Sequence, residues 1–170
     1  MKYTVVDGHC DTPMELWLRQ ENLRSNTCQV SLERAKKLSG YVQFYAFCTV
    51  WLEQDGSFEA HYAAALEHFN RQLDENKDQI VRCKNEADAR AAIGSGKYGA
   101  FLSIEGAEAI SWDPGKLELA CAQGVRMIAP AWNAQNALTG SCMTGGGLTA
   151  QGKEFVRRAQ KLGMILDVSH

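Results

Sequence analysis

The most constraining feature of this 170-residue chain is the recurrence of short apolar runs separated by helix-like stretches. Residues 41–50, 99–105, 125–132 and 164–170 are rich in branched and aromatic side chains, and a further run, Val5-Val6-Asp7-Gly8-His9, opens the chain. Between them lie segments with helical spacing, such as Leu66, Phe69 and Leu73 within an expected helix over 58–80. Strands that alternate with helices imply parallel βα units. Apolarity that is continuous rather than alternating implies strands buried on both faces, as in a barrel or a doubly wound sheet. No GxGxxG or P-loop follows any of the five expected strands, which removes the usual nucleotide-binding reasons for a doubly wound sheet. The expected fold class is α/β, of (β/α)8 TIM-barrel type, with about five βα units present.

Helix boundaries are marked by local chemistry. Thr12-Pro13-Met14-Glu15 has the form of a capping box opening a helix to about Arg19. Short helices are expected over 31–38 and 86–93. Asp113-Pro114 should open one that Gly124 ends, and Thr149 should cap one over 150–162 that Gly163 closes. The Gly145-Gly146-Gly147 run has no basic residue within four positions after it, so a mobile loop is expected rather than an anion cradle. His61 and His68 share a helix face with Glu67 and Asn70 near them, and both are expected on a solvated surface.

Chemistry in such a barrel gathers at the C-terminal ends of the strands. His9 and Asp11 end the first run, Glu105 ends the third and His170 ends the fifth. In an extended strand His9 and Asp11 point the same way and Cys10 the other way. Imidazole and carboxylate side chains suit zinc. Singly, each reads as a satisfied strand-end polar group; together, four metal-competent side chains at three strand ends point to a metal centre. Trp132 ends the fourth strand and is expected at the mouth of the pocket, whereas Trp17, Trp51 and Trp112 read as packing.

Composition narrows the partners. The net charge is -2, which gives no general attraction to nucleic acid or to an anionic membrane. There is no apolar run of transmembrane length. Met1-Lys2 leads directly into the first strand, so no signal peptide is expected. The six cysteines show no CxxC spacing, which fits reduced thiols and a cytoplasmic location.

Several of these stretches together resemble the renal (membrane) dipeptidase family, the zinc dipeptidases of peptidase group M19. They are Asp7-Gly8-His9-Cys10-Asp11-Thr12, Ile104-Glu105-Gly106-Ala107, Gly147-Leu148-Thr149 through Gly152, and Gly163-Met164-Ile165-Leu166-Asp167-Val168-Ser169-His170. Val42-Gln43-Phe44 and Val125-Arg126 are similar to barrel strands of that family. The resemblance implies a barrel with two zinc ions: His9 and Asp11 on one, Glu105 bridging both as the catalytic carboxylate, and His170 on the second. It further implies hydrolysis of a small dipeptide by a metal-bound hydroxide, and a possible homodimer. It makes residues 1–170 the N-terminal part of a single barrel domain, lacking one zinc-ligand His and the substrate-binding Arg and Asp, so that this piece alone is expected to be inactive. Where the family has Thr-His-Asn, this chain has Ala131-Trp132-Asn133, which places an indole at a substrate position. The rival readings are an amidohydrolase-like enzyme for lactones or cyclic amides, which HxH in place of HxD would favour, and a degenerate metal-binding barrel without turnover.

Overall fold

A computed structural model describes residues 3–50, 52 and 57–170. Trp51 lies outside the described residues. The helices are α1 (Thr12–Arg19), α2 (Leu32–Ala35), α3 (Phe58–Glu75), α4 (Glu86–Gly94), α5 (Leu117–Gln123) and α6 (Ala150–Lys161). The strands are β1 (Thr4–Cys10), β2 (Gly40–Cys48), β3 (Ile80–Arg82), β4 (Tyr98–Glu105), β5 (Val125–Ile128) and β6 (Ile165–Leu166). Strand order is β1-β2-β4-β5-β6, with β3 pairing β4. The β1–β2, β3–β4 and β5–β6 pairings are parallel. The expected α/β architecture is therefore present, with one more strand than the apolar runs indicated.

That extra strand corrects the long helix. α3 stops at Glu75, not near residue 80, because Asn76 takes over the chain there. Its backbone carbonyl accepts from Gln79 and Ile80 N–H, and its side chain is held by Arg24 Nε at 2.9 Å. Ile80 and Val81 then leave the helix and pair with Tyr98 and Gly99. β-Branched residues suit that pleated partner better than another helical turn.

The chain forms two compact units. The first comprises residues 1–47 and 63–102. Here β2 is buried almost throughout, as continuous apolarity predicts. Phe69 of α3 packs against Tyr45 at 4.8 Å and Phe47 at 6.1 Å between ring centroids, and Phe44 stacks on Phe101 at 4.8 Å. Gln43 is a fully buried polar residue of that core; it is satisfied by Tyr41 Oη–H and by donation to the Asp7 and Phe44 carbonyls. β1 departs from expectation, because none of its residues is fully buried and Val6 is 66% exposed. His68 departs too. It is buried, its Nε2 lies 3.2 Å from the Glu21 carbonyl and its Nδ1 is met by Arg71, so it belongs to the packing of α3 and not to a solvated face. His61 is half-buried.

The second unit comprises residues 48–62 and 103–170. Its core is built on Leu117, Ala120, Val125, Ile128, Phe155 and Ala159, all essentially inaccessible. Burying a side chain such as Phe155 contributes about 1.5–3 kcal/mol. The expected end signals hold locally. Thr149 Oγ1 accepts from Gly152 N–H at 3.0 Å, Gly124 takes φ 106° and Gly163 φ 70°. Asp113 accepts from Gly115 N–H at 2.7 Å, although the turn it opens is 3-10 over Pro114–Lys116 before α5 begins. The fifth expected strand shrinks to β6, because from Asp167 the backbone turns under the Asp167 side chain, which accepts from Ser169 N–H at 2.8 Å.

Candidate metal centre

In the first unit, His9 Nε2 and Asp11 Oδ1 come within 3.4 Å of each other, both largely exposed. Strand alternation is not what joins them. The β1–β2 register shifts between Asp7 and Cys10, a bulge of the kind that re-aims a side chain, and Asp11 has already left the strand. Asp11, not Thr12, is the N-cap of α1; its backbone carbonyl accepts from Met14 and Glu15 N–H. No side chain caps the helix, so the expected capping box is absent. The Asp11 carboxylate is turned to His9, and Glu15 pairs with Arg19 at 2.6 Å. Cys10 does not share their environment: burial of its thiol pushes its pKa to about 12.

In the second unit, Glu105 ends β4 and His170 follows β6. His170 Nε2 lies 2.8 Å from Glu105 Oε1, and its Nδ1 lies 3.0 Å from Asn133 Oδ1. As the Asn133 amide lies, Oδ1 can only accept, so Nδ1 is the nitrogen that carries hydrogen. Nε2 then faces the Glu105 carboxylate. The His170 backbone is held as well, since its carbonyl accepts from Cys142 N–H.

The loop that supplies Cys142 is bonded, not featureless. Ser141 and Gly145 form an antiparallel bridge, and Ser141 Oγ donates to the Asn133 carbonyl at 2.6 Å. A Cβ on Gly140 would lie 1.7 Å from the Gly145 carbonyl oxygen, so this close approach needs glycine. Trp132 stands beside His170, with ring centroids 6.1 Å apart. It lines a cleft of about 770 Å³ with Phe58, Glu108, Trp112, Asn136 and Met143. Trp112, read from the sequence as packing, lines the same cleft.

The donor set suits zinc. Two ligands at the usual 2.0–2.1 Å and tetrahedral angles stand about 3.3–3.4 Å apart, and His9 and Asp11 already do so. The Asn133 contact is the kind of outer hydrogen bond that fixes the tautomer of a metal-ligating histidine. Reading single residues missed Asn133 and Glu108. The expected strand 125–132 ends early, at Ile128, so Trp132 and Asn133 lie in the loop after β5, while Glu108 lies one 3-10 turn beyond the strand-end Glu105.

A family model described as membrane dipeptidase (peptidase family M19) matches residues 1–170. An uncharacterized protein in the PQQ-III 3' region of Acinetobacter calcoaceticus is 33% identical over 107 residues, which is 58% of this chain and 34% of that protein. The solved structure of the dipeptidase AC, a metallopeptidase of family M19, has a TM-score of 0.82 at 24% identity and covers all of this chain and 57% of its own. A Rhodobacter sphaeroides metallopeptidase, solved with a phosphinate mimic of the dipeptide L-Ala-D-Ala, has a TM-score of 0.81 at 24% identity and covers 100% of this chain and 59% of its own. An amidohydrolase from Pseudomonas aeruginosa gives 0.69 at 22% identity, covering 97% and 44%. The chain thus spans well under two thirds of the length of these relatives. Their likeness bears out the barrel-type α/β fold, of which this chain matches a part.

Proposed function

The chain belongs to the membrane dipeptidase family, peptidase family M19, and on that premise we propose that its residues supply the zinc-binding half of a dipeptidase site. The observation that carries this reading is the occurrence of two histidine–carboxylate pairs, His9–Asp11 and Glu105–His170, each already within ligand distance inside its own unit. His9 and Asp11 would hold one zinc ion, and Glu105 and His170 would hold a second. Bound zinc supplies Lewis acidity and makes water acidic enough to act as a nucleophile at neutral pH.

The protein's own residues do the positioning. Asn133 holds the ring of His170 so that Nε2 is the ligating nitrogen, and the Asp167–Ser169 turn sets where that ring begins. Glu105 is held at 11% side-chain exposure, where its charge acts with less solvent screening than at the surface. Trp132 forms a wall beside His170; with no acid–base capacity, it selects substrates by shape and stacking. The substrate is a small dipeptide, and scattered free thiols support a reducing, cytoplasmic setting. No helix among the described residues is long and apolar enough to cross a membrane.

The test is zinc binding and hydrolysis of a panel of L,L- and L,D-dipeptides by the polypeptide carrying this sequence within its full reading frame. Glu105→Gln should abolish hydrolysis and weaken zinc binding. Wild-type turnover of lactones or cyclic amides with no dipeptide cleavage would move the protein to the amidohydrolase-like alternative.

A further inference from the structure

Glu108 is a buried carboxylate with half of its hydrogen bonding unused. The residue is 4% exposed, in the 3-10 turn Ala107–Ile110. Its Oε1 accepts from Asn136 Nδ2 at 3.2 Å, while Oε2 is buried without a hydrogen-bond partner. Oε2 packs over Gly106: a Cβ there would meet it at 2.4 Å, so glycine is what leaves room for the carboxylate. Asn136 is itself tied to the Pro130 carbonyl at 2.9 Å and to the backbone N–H groups of Leu138 and Thr139. A single neutral amide is poor compensation for taking a carboxylate out of water.

The walls of the cleft it lines supply the other half of a recognition pattern. Phe58, Trp112 and Trp132 surround the same space, with Phe58 and Trp112 in edge contact at 6.4 Å, and Met143, 76% exposed, also lines it. Aromatic faces attract cations, and an apolar wall with a buried acid suits an aliphatic stem that ends in positive charge. The indole Nε1 of Trp112 is also buried without a partner; it offers a donor suited to an amide carbonyl on the ligand. The backbone at Ser111 and Trp112 takes two consecutive positive φ values, 54° and 56°. Such strain is rare in residues other than glycine and is found most often at binding sites.

We propose that this cleft is a side-chain subsite for a cationic residue, and that Glu108 selects substrates bearing an ammonium or guanidinium group on an aliphatic stem. The proposal rests on the dipeptidase reading for the word substrate, but the binding itself needs neither metal nor turnover. Trp132 connects the two, being in the cleft and 6.1 Å from the ring of His170.

The experiment follows the indole N–H signals of the 15N-labelled, metal-free protein by NMR while butylguanidinium or its neutral counterpart butylurea is added. Butylguanidinium should shift the Trp112 and Trp132 signals and bind at least about tenfold more tightly, the factor that 1.4 kcal/mol of charge recognition gives. Glu108→Gln, which keeps the shape and the Asn136 contact, should bring the two probes within about twofold. Met143→Lys, at the exposed rim of the cleft, adds a like charge and should weaken butylguanidinium by about threefold more than it weakens butylurea. Equal binding of the two probes to the wild type, or shifts that miss both tryptophans, would overturn the subsite. If selective binding is found and no dipeptide is cleaved, the dipeptidase reading fails and the cation site stands. If dipeptides are cleaved without preference for lysine or arginine, and the probes bind equally, the reverse holds.

Discussion

The imidazole of His170 and the carboxylate of Glu105 meet at 2.8 Å across 65 residues of chain, with the opposite ring nitrogen anchored on Asn133. Three segments contribute: the end of β4, the loop after β5 and the turn after β6. Because the imidazole sits between two oxygen acceptors, its orientation depends on Asn133 as much as on its own rotamer.

Asn133→Ala should therefore lower zinc affinity about 10- to 100-fold, the range usual for loss of an outer-shell partner. Competition with a chromophoric chelator measures it. Unchanged affinity would show that Asn133 does not orient the ligand. His170→Ala should have the larger effect, since it removes a donor outright.

Trp132→His tests the wall beside His170. Trp132 is only half-buried, so its removal leaves no sealed core cavity. In the catalytically active polypeptide, KM or the order of preferred dipeptides should change while the melting temperature moves by no more than a few degrees. The opposite pattern, a lower melting point with unaltered kinetics, would make Trp132 a packing residue.

Alkaline pH should destabilise the fold. Burial raises the Cys10 thiol to about 12, raises Cys28 and Cys83, and puts Tyr45 well above its ordinary value. In the unfolded chain the thiols ionise near 9, so from there upward the unfolded state loses protons first and stability falls with pH. For Cys10 the loss runs from about 9 to its folded value of about 12. Melting temperatures at pH 8, 9 and 10 should fall progressively, and a level profile would contradict the burial of these groups. The same burial keeps Cys10 protonated at pH 8, so alkylation there should reach the exposed Cys142 first.

β1 and β6 lie at the two ends of the strand order and carry uncovered apolar side chains. Val6 of β1 is 66% exposed and Ile165 of β6 51%, while Tyr3 just before β1 is 73% exposed and Val168 just after β6 90%. Exposed apolar edge strands pair with other chains. A polypeptide of these 170 residues alone is expected to elute as a dimer or larger species and to show no dipeptidase turnover with added zinc. A monodisperse, active monomer on a sizing column with light scattering would refute both expectations.

The local chemistry of single residues was legible without coordinates. Thr149, Asp113, Gly124 and Gly163 mark element ends because a cap or a left-handed residue acts over three or four positions. The buried strands β2 and β4 were legible because nearly all of their positions are buried and most carry apolar side chains. The four metal-competent residues stood out by ending apolar runs, and the family followed from the motifs around them. Tertiary structure decided the rest. β3 exists because Ile80 and Val81 found a partner in β4, and a three-residue strand has too short a pattern to reveal itself. His68 is buried because a loop carbonyl from Glu21 comes to meet it. Asp11 caps α1 through its backbone while its side chain turns to His9, a choice that depends on the bulge in β1. Asn133, Asn136 and Glu108 acquire meaning only when distant segments meet, since a hydrogen bond between side chains 28 or 37 residues apart leaves no periodic trace in one sequence.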